Sequence, residues 1–204
     1  MDRHTHWKNV YDQKDHTRVS WYQADCADAL AQIKLLNLPK NATIIDIGGG
    51  ASRLVDSLLN EGFKALTVLD IAEKSLKIAQ HRLAQNAAQI HWICADITQT
   101  VLLERYDLWH DRAAFHFLTN PEDQQRYLTA LREHLNPGAY VMLATFAKGG
   151  PEKCSDLIVE QYDAAKMTKT LGPKFELLTS YQTHHETPGG SSQLFQHCIF
   201  KFNG

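Results

Sequence analysis

No Cys-x-x-Cys pair occurs anywhere in the 204 residues; the four cysteines, Cys26, Cys94, Cys154 and Cys198, are scattered. That spacing offers neither a metal clasp nor a redox dithiol, and a chain long enough to bury one core of its own does not depend on disulfides, so reduced thiols are expected. Cys94, inside the apolar stretch His91 to Ala95, reads as a core residue, whereas Cys154 falls in a Gly/Pro loop. Long apolar runs are missing as well. Nothing approaches the roughly 20 residues of a membrane helix, and the opening Met1 to His6 lacks the apolar stretch of a secretory signal. Charge of one sign is also absent. Lys and Arg number 21 against 23 Asp and Glu, a formal net charge of −2 with no basic block, so no field draws in a nucleic-acid backbone. His4-Thr5-His6 supplies two imidazoles without a third ligand, and no metal is expected. These absences point to a cytoplasmic protein of one domain, with residues 1–40 as an N-terminal helical cap and 41–204 as the core, without membrane or nucleic-acid partners.

What the chain does contain is concentrated in Ile44-Ile45-Asp46-Ile47-Gly48-Gly49-Gly50-Ala51-Ser52 and in Leu69-Asp70 beyond it. The first stretch reads as a buried strand entering a glycine turn and a helix start. Glycine allows a sharp turn and close approach of a ligand, and the first helical turn presents unpaired N–H groups. Asp70 lies 20 residues past Gly50, where doubly wound folds place the carboxylate that accepts ribose hydroxyls. A dinucleotide fingerprint would put its third glycine at position 53. Arg53 stands there, which disfavours pyrophosphate binding.

The surrounding pattern alternates strands and helices. A helix is expected over 22–38, stopped by Pro39, then a strand at 43–47, helix 52–60, strand 65–69, helix 73–85, strand 89–94 and strand 106–110. Thr119-Asn120-Pro121-Glu122-Asp123 starts the next helix, which Asn136-Pro137-Gly138 ends. The strand 140–146, a Gly/Pro loop, a helix over 157–171 and two strands joined by the turn Thr187 to Ser191 complete the chain.

Asp46-x-Gly48-x-Gly50-x-Ser52 resembles motif I of class I S-adenosylmethionine (SAM) methyltransferases, and the resemblance continues in order through Leu69-Asp70, Ala95-Asp96-Ile97, Asp107-Leu108-Trp109-His110-Asp111 and Leu135-Asn136-Pro137-Gly138. Outside that core, Tyr11 through Ser20-Trp21-Tyr22-Gln23, the run Asp111 to Leu118 and Pro151 to Tyr162 resemble a small bacterial subgroup of unassigned substrate. More distantly they are similar to the citrate synthase-lysine methyltransferase group. The resemblance implies an α/β, Rossmann-like fold whose seven-stranded, mostly parallel sheet carries an antiparallel last strand and helices on both faces. It implies SAM as cofactor, with Gly48 and Gly50 under its methionine part, Asp46 orienting the loop, Asp70 at the ribose, Asp96 and Ile97 at the adenine, Ile71 a further cofactor contact, and Trp21 and Tyr22 closing over it. Arg53 is open to a cofactor carboxylate or a surface pair.

The acceptor side is read at the end of the fourth strand, where Asp111, Arg112 and His116 are expected to line the pocket. Asp111, which also falls among the expected cofactor contacts, and His116 are the candidate catalytic residues, with His116 either accepting a proton or packing the loop. His184 and His185 line the acceptor pocket if the last hairpin sits as in the family. The implied activity is methyl transfer to a small molecule or to a protein lysine, with the small molecule favoured. The rivals are an NAD(P)-dependent oxidoreductase, opposed by Arg53 and the antiparallel finish, and a SAM-binding protein without transfer activity. Oligomeric state is not legible.

Overall fold

The computed structural model describes residues 2–204. Seven strands form one sheet in the spatial order β3-β2-β1-β4-β5-β9-β8, where β1 is Thr43–Ile47, β2 Ala65–Asp70, β3 Ile90–Cys94, β4 Tyr106–Arg112, β5 Leu135–Phe146, β8 Phe175–Glu186 and β9 Ser192–Phe202. The first five run parallel to one another. β9 lies antiparallel between β5 and β8, as expected for the family's last strand.

Alternating side chains divide the core between the two faces of the sheet. Ile44, Val68, Leu108, Met142 and Ile199 pack toward α2 (Ala27–Leu35), α3 (Leu54–Asn60) and α4 (Glu73–Leu83). Ile45, Trp109, Val141, Leu143 and Phe200 pack toward α5 (Pro121–Glu133) and α6 (Ala164–Leu171). Helices on both faces explain why β1 and β2 are apolar almost throughout. α5 starts where its sequence says: the Asn120 side chain accepts from the Asp123 N–H at 2.8 Å, and Pro121 occupies the first turn.

One helix is added within the expected N-terminal helical cap, and three local expectations are corrected. Residues 3–13 form a helix, α1 (Arg3–Gln13), that its polar sequence does not announce; Asp2 caps it by accepting from the Thr5 N–H at 3.1 Å, and Val10 and Tyr11 are buried. The helix expected from residue 22 begins at Ala27, leaving Val19 to Gln23 as irregular chain whose Trp21 carbonyl meets Arg112 at the end of β4. The helix expected over 157–171 begins at Ala164, capped by Asp163; before it, β6 (Lys153–Cys154) and β7 (Leu157–Ile158) form a hairpin whose turn residues Ser155 and Asp156 both have positive φ. Cys94 is exposed because β3 is an edge strand, whereas Cys154 is buried; all four cysteines are free thiols. No helix among the described residues is long and apolar enough to cross a membrane.

Candidate active site

The carboxyl ends of β1, β2 and β4 meet at the glycine loop. The N–H groups of Gly48 and Gly49 both donate to the Leu69 carbonyl, at 2.8 and 3.2 Å, which draws the loop across the end of β2. A Cβ on Gly49 would lie 2.5 Å from Asp46 Oδ2. On Gly50, whose φ is +33°, it would lie 2.8 Å from Ser75 Oγ and nearer still to Asp70. The loop therefore rides directly on two carboxylates, a cradle closed to any side chain. Arg82 of α4 holds the far end, donating to the Ala51 and Ser52 carbonyls at 3.0 and 2.6 Å and to Asp56.

Asp70 is buried at the tip of β2 and accepts from the Ala72 N–H at 2.8 Å. Burial pushes its carboxyl up to about 6, opposed by the Ala72 and Ser75 hydrogen bonds. It faces a cavity of about 120 Å³ lined also by Gly48, Ile71 and Ile97 and walled by the indoles of Trp7 and Trp21. Those two rings meet edge to face at 5.6 Å, and Trp7 packs on Phe117 at 4.9 Å. Trp7 was not anticipated, since the N-terminal helix that carries it has no clear apolar stripe. Asp96 lines the same cavity, but its oxygens are already engaged: Oδ1 accepts from Thr98, and Oδ2 pairs with Arg3 at 2.9 Å. Arg3 also reaches Asp123 at 2.8 Å, tying α1 to the turn after β3 and to α5 through one guanidinium.

A smaller cavity of about 70 Å³ lies on the other side of the glycine loop, with Tyr22, Arg53 and Asp46 in its lining. Here the register of β1 on β4 brings Asp46 opposite His110. Both side chains are buried, and Asp46 Oδ1 is 2.6 Å from His110 Nδ1. As a carboxylate can only accept, Nδ1 carries the proton, and Nε2 is left without a protein partner among the described residues. The ring lines both this cavity and a third one of about 320 Å³. His110 was not foreseen, because only strand pairing relates it to Asp46, 64 positions earlier in the chain.

The third cavity lies against β4, β5, β9 and β8 on the α2 face. His184 and His185 line it as the expected placing of the last hairpin requires, together with His197. Burial and the nearby Arg112 hold His197 down to about 4 and His185 below its ordinary value, so both rings are neutral near pH 7. Arg112, at the end of β4, lines all three cavities.

The structure does not bring Asp111 and His116 into any of these cavities. On β4, Leu108, His110 and Arg112 share one face, so Asp111 points to the other, where it is fully buried. It accepts from Tyr127 Oη at 2.7 Å and from the Ala114 and Phe115 N–H groups at 2.9 and 3.1 Å. Those three bonds stitch the loop after β4 to α5. His116 is also fully buried, between Phe117 and Phe146; its Nδ1 accepts from the Phe146 N–H at 3.2 Å, and Nε2 has no partner. Burial, then Arg112, lowers it to about 3. The bonding of Asp111 and the enclosure of His116 are those of packing groups, which corrects their reading as residues facing an acceptor or, for Asp111, a cofactor.

A family model described as a methyltransferase domain matches residues 44–138. A malonyl-[acyl-carrier protein] O-methyltransferase of Anoxybacillus flavithermus is 30% identical over 185 residues, 88% of this chain and 67% of the relative. An EEF1A lysine methyltransferase 2 of Danio rerio is 24% identical over 137 residues, covering 64% of this chain and 54% of the relative. The N-methyltransferase NodS of Bradyrhizobium japonicum, solved with S-adenosyl-L-homocysteine (SAH), superposes over all of both chains with a TM-score of 0.74 at 16% identity. This chain spans about two thirds of the first curated relative's length and about half of the second's.

Proposed function

Since the chain belongs to the class I SAM-dependent methyltransferases, we propose that it methylates a small nucleophilic molecule held in the 320 Å³ cavity beside His110 and Arg112. The bound cofactor supplies an electrophilic methyl group on a sulfonium. The cradle suits it: Gly49 and Gly50 admit no side chain above Asp46 and Asp70, and the Asp70 carboxylate is presented to a cavity walled mainly by apolar and aromatic side chains such as Ile47, Leu69, Ile97, Trp7 and Trp21. In this reading Asp70 takes the ribose hydroxyls, Ile71 and Ile97 flank the adenine, and Gly48 and Gly50 leave room for the methionine part. Trp21, with Trp7, covers the ligand and Tyr22 closes the methionine side. Asp96 acts through Arg3, anchoring the N-terminal helix that bears Trp7.

His110 is the residue we assign to proton transfer. Asp46 fixes its tautomer and leaves Nε2 basic at a ring that borders both the methionine side and the larger cavity. A nucleophile that arrives protonated gives its proton there; one that arrives free needs only positioning.

The observation that carries the small-molecule reading is the size and walling of the third cavity, within the range of small-ligand sites of roughly 300–1,000 Å³ and bordered by the irregular segment after α1. The lysine methyltransferase relative keeps a protein side chain as the second reading. Incubating the protein with radiolabelled SAM and cell extract separates them. Label in low-molecular-weight products is expected; label confined to protein overturns the small-molecule assignment, and absence of SAM and SAH binding in calorimetry overturns the whole reading.

A further inference from the structure

Arg112 is the feature the proposed transfer leaves unused. Its Nη1 donates to the Trp21 carbonyl at 3.1 Å, and its guanidinium lies over the Phe195 ring, 4.6 Å from the centroid. Neither contact neutralises the charge, and Nε and Nη2, the parallel donor edge of the fork, have no acceptor among the described residues. The nearest carboxylate, Asp46, is committed to His110. Asp28 and Glu186 stand at the rim of the cavity, exposed to solvent. Burial lowers Arg112 to about 10, which leaves it charged at neutral pH, and His185 and His197 beside it are uncharged there. A half-buried cation that presents a free bidentate edge to a cavity is a ready receptor for an anion.

We propose that the small-molecule acceptor carries an oxyanion, a carboxylate or a phosphate, and that Arg112 recognises it through the Nε and Nη2 edge while Phe195 holds the guanidinium plane. This rests on the methyltransferase reading and adds the chemical class of its acceptor. The anion anchors on Arg112 at the end of β4, two residues beyond His110, so the group to be methylated sits on the histidine side of the same cavity. Arg112 also borders the cavities of the cofactor side, and the alternative it must be tested against is a pair with the cofactor's own carboxylate.

The experiment starts with calorimetric titration of SAH into wild type. The SAH-loaded protein is then titrated with matched probes: butyrate against butyramide, benzoate against benzamide, and phenyl phosphate as the phosphate arm. At least one acid is expected to bind tenfold or more tighter than its neutral partner, the arm that wins naming the anion. Arg112→Gln should abolish that preference while SAH affinity stays within threefold, and Arg112→Lys, which keeps the charge but not the fork, should retain part of it. Failure of wild type to bind SAH strikes the methyltransferase reading itself. SAH binding with no preference for any acid, or an acid preference that survives in Arg112→Gln, or in Arg112→Lys undiminished should the Gln variant not fold, overturns the proposal alone. A tenfold loss of SAH affinity in Arg112→Gln overturns it by giving Arg112 to the cofactor.

Discussion

Asp70→Asn should move stability and cofactor affinity in opposite directions. In the free protein the carboxylate is buried, and its rise from an ordinary 3.8 to about 6 corresponds to about 3 kcal/mol by which folding at pH 7 is opposed. Asparagine keeps an oxygen for the Ala72 N–H, now 2.8 Å from Asp70, and removes the charge. The free variant should gain up to about 3 kcal/mol in urea unfolding. Binding suffers the reverse. Two ribose hydroxyls donating to an ionised carboxylate make charge-assisted bonds, and losing the charge and one acceptor should weaken SAH by about 2–3 kcal/mol, or roughly 30- to 150-fold in calorimetry. The sign with pH follows from the same group: the ionised form binds the diol, so wild-type affinity should fall as pH drops below about 6, while Asp70→Asn stays flat. A variant that binds SAH like wild type, or is less stable than it, refutes the assignment of Asp70.

Asp111→Ala leaves the Tyr127 hydroxyl and two backbone N–H groups without their acceptor, at about 2 kcal/mol each, and relieves about 3 kcal/mol by removing a carboxyl that burial raises to about 6, so at pH 7 it should cost a net of about 3 kcal/mol in urea unfolding; a loss below about 1 kcal/mol would refute its role as the stitch between β4 and α5. His116, held at about 3 when folded, titrates near 6.5 once unfolded, so its contribution to stability is present above pH 6.5 and is lost as pH falls. His197, held at about 4, acts in the same direction, while the raised carboxyls Asp70 and Asp111 act oppositely below about pH 6. The clean measurement is therefore a difference: His116→Phe should gain on wild type by about 1.4 kcal/mol per pH unit below 6.5, with SAH affinity unchanged, and a pH-independent difference would contradict the buried neutral ring.

Read alone, the sequence determined what depends on near neighbours in the chain. The glycine turn after β1, the acid at the tip of β2, the Asn120-Pro121 helix start and the hairpin of β8 and β9 are each written within a few residues, because turns, caps and alternating burial are local. The order of those signals also carried the family and its fold. Tertiary structure decided which way each side chain faces and what it meets there. Asp111 and Arg112 are adjacent in sequence, yet strand alternation sends one into the packing around Tyr127 and the other into the cavities. His116 looked like a base and is enclosed between phenylalanines. His110 reads in the sequence only as part of a strand and sits against Asp46, since a parallel pairing sets together residues from β1 and β4, which two helices and two strands separate in the chain. Cys94 is exposed because only the assembled strand order makes β3 an edge. A charge's partner is fixed by such long-range neighbours, so the unsatisfied edge of Arg112 became visible only once the sheet was complete.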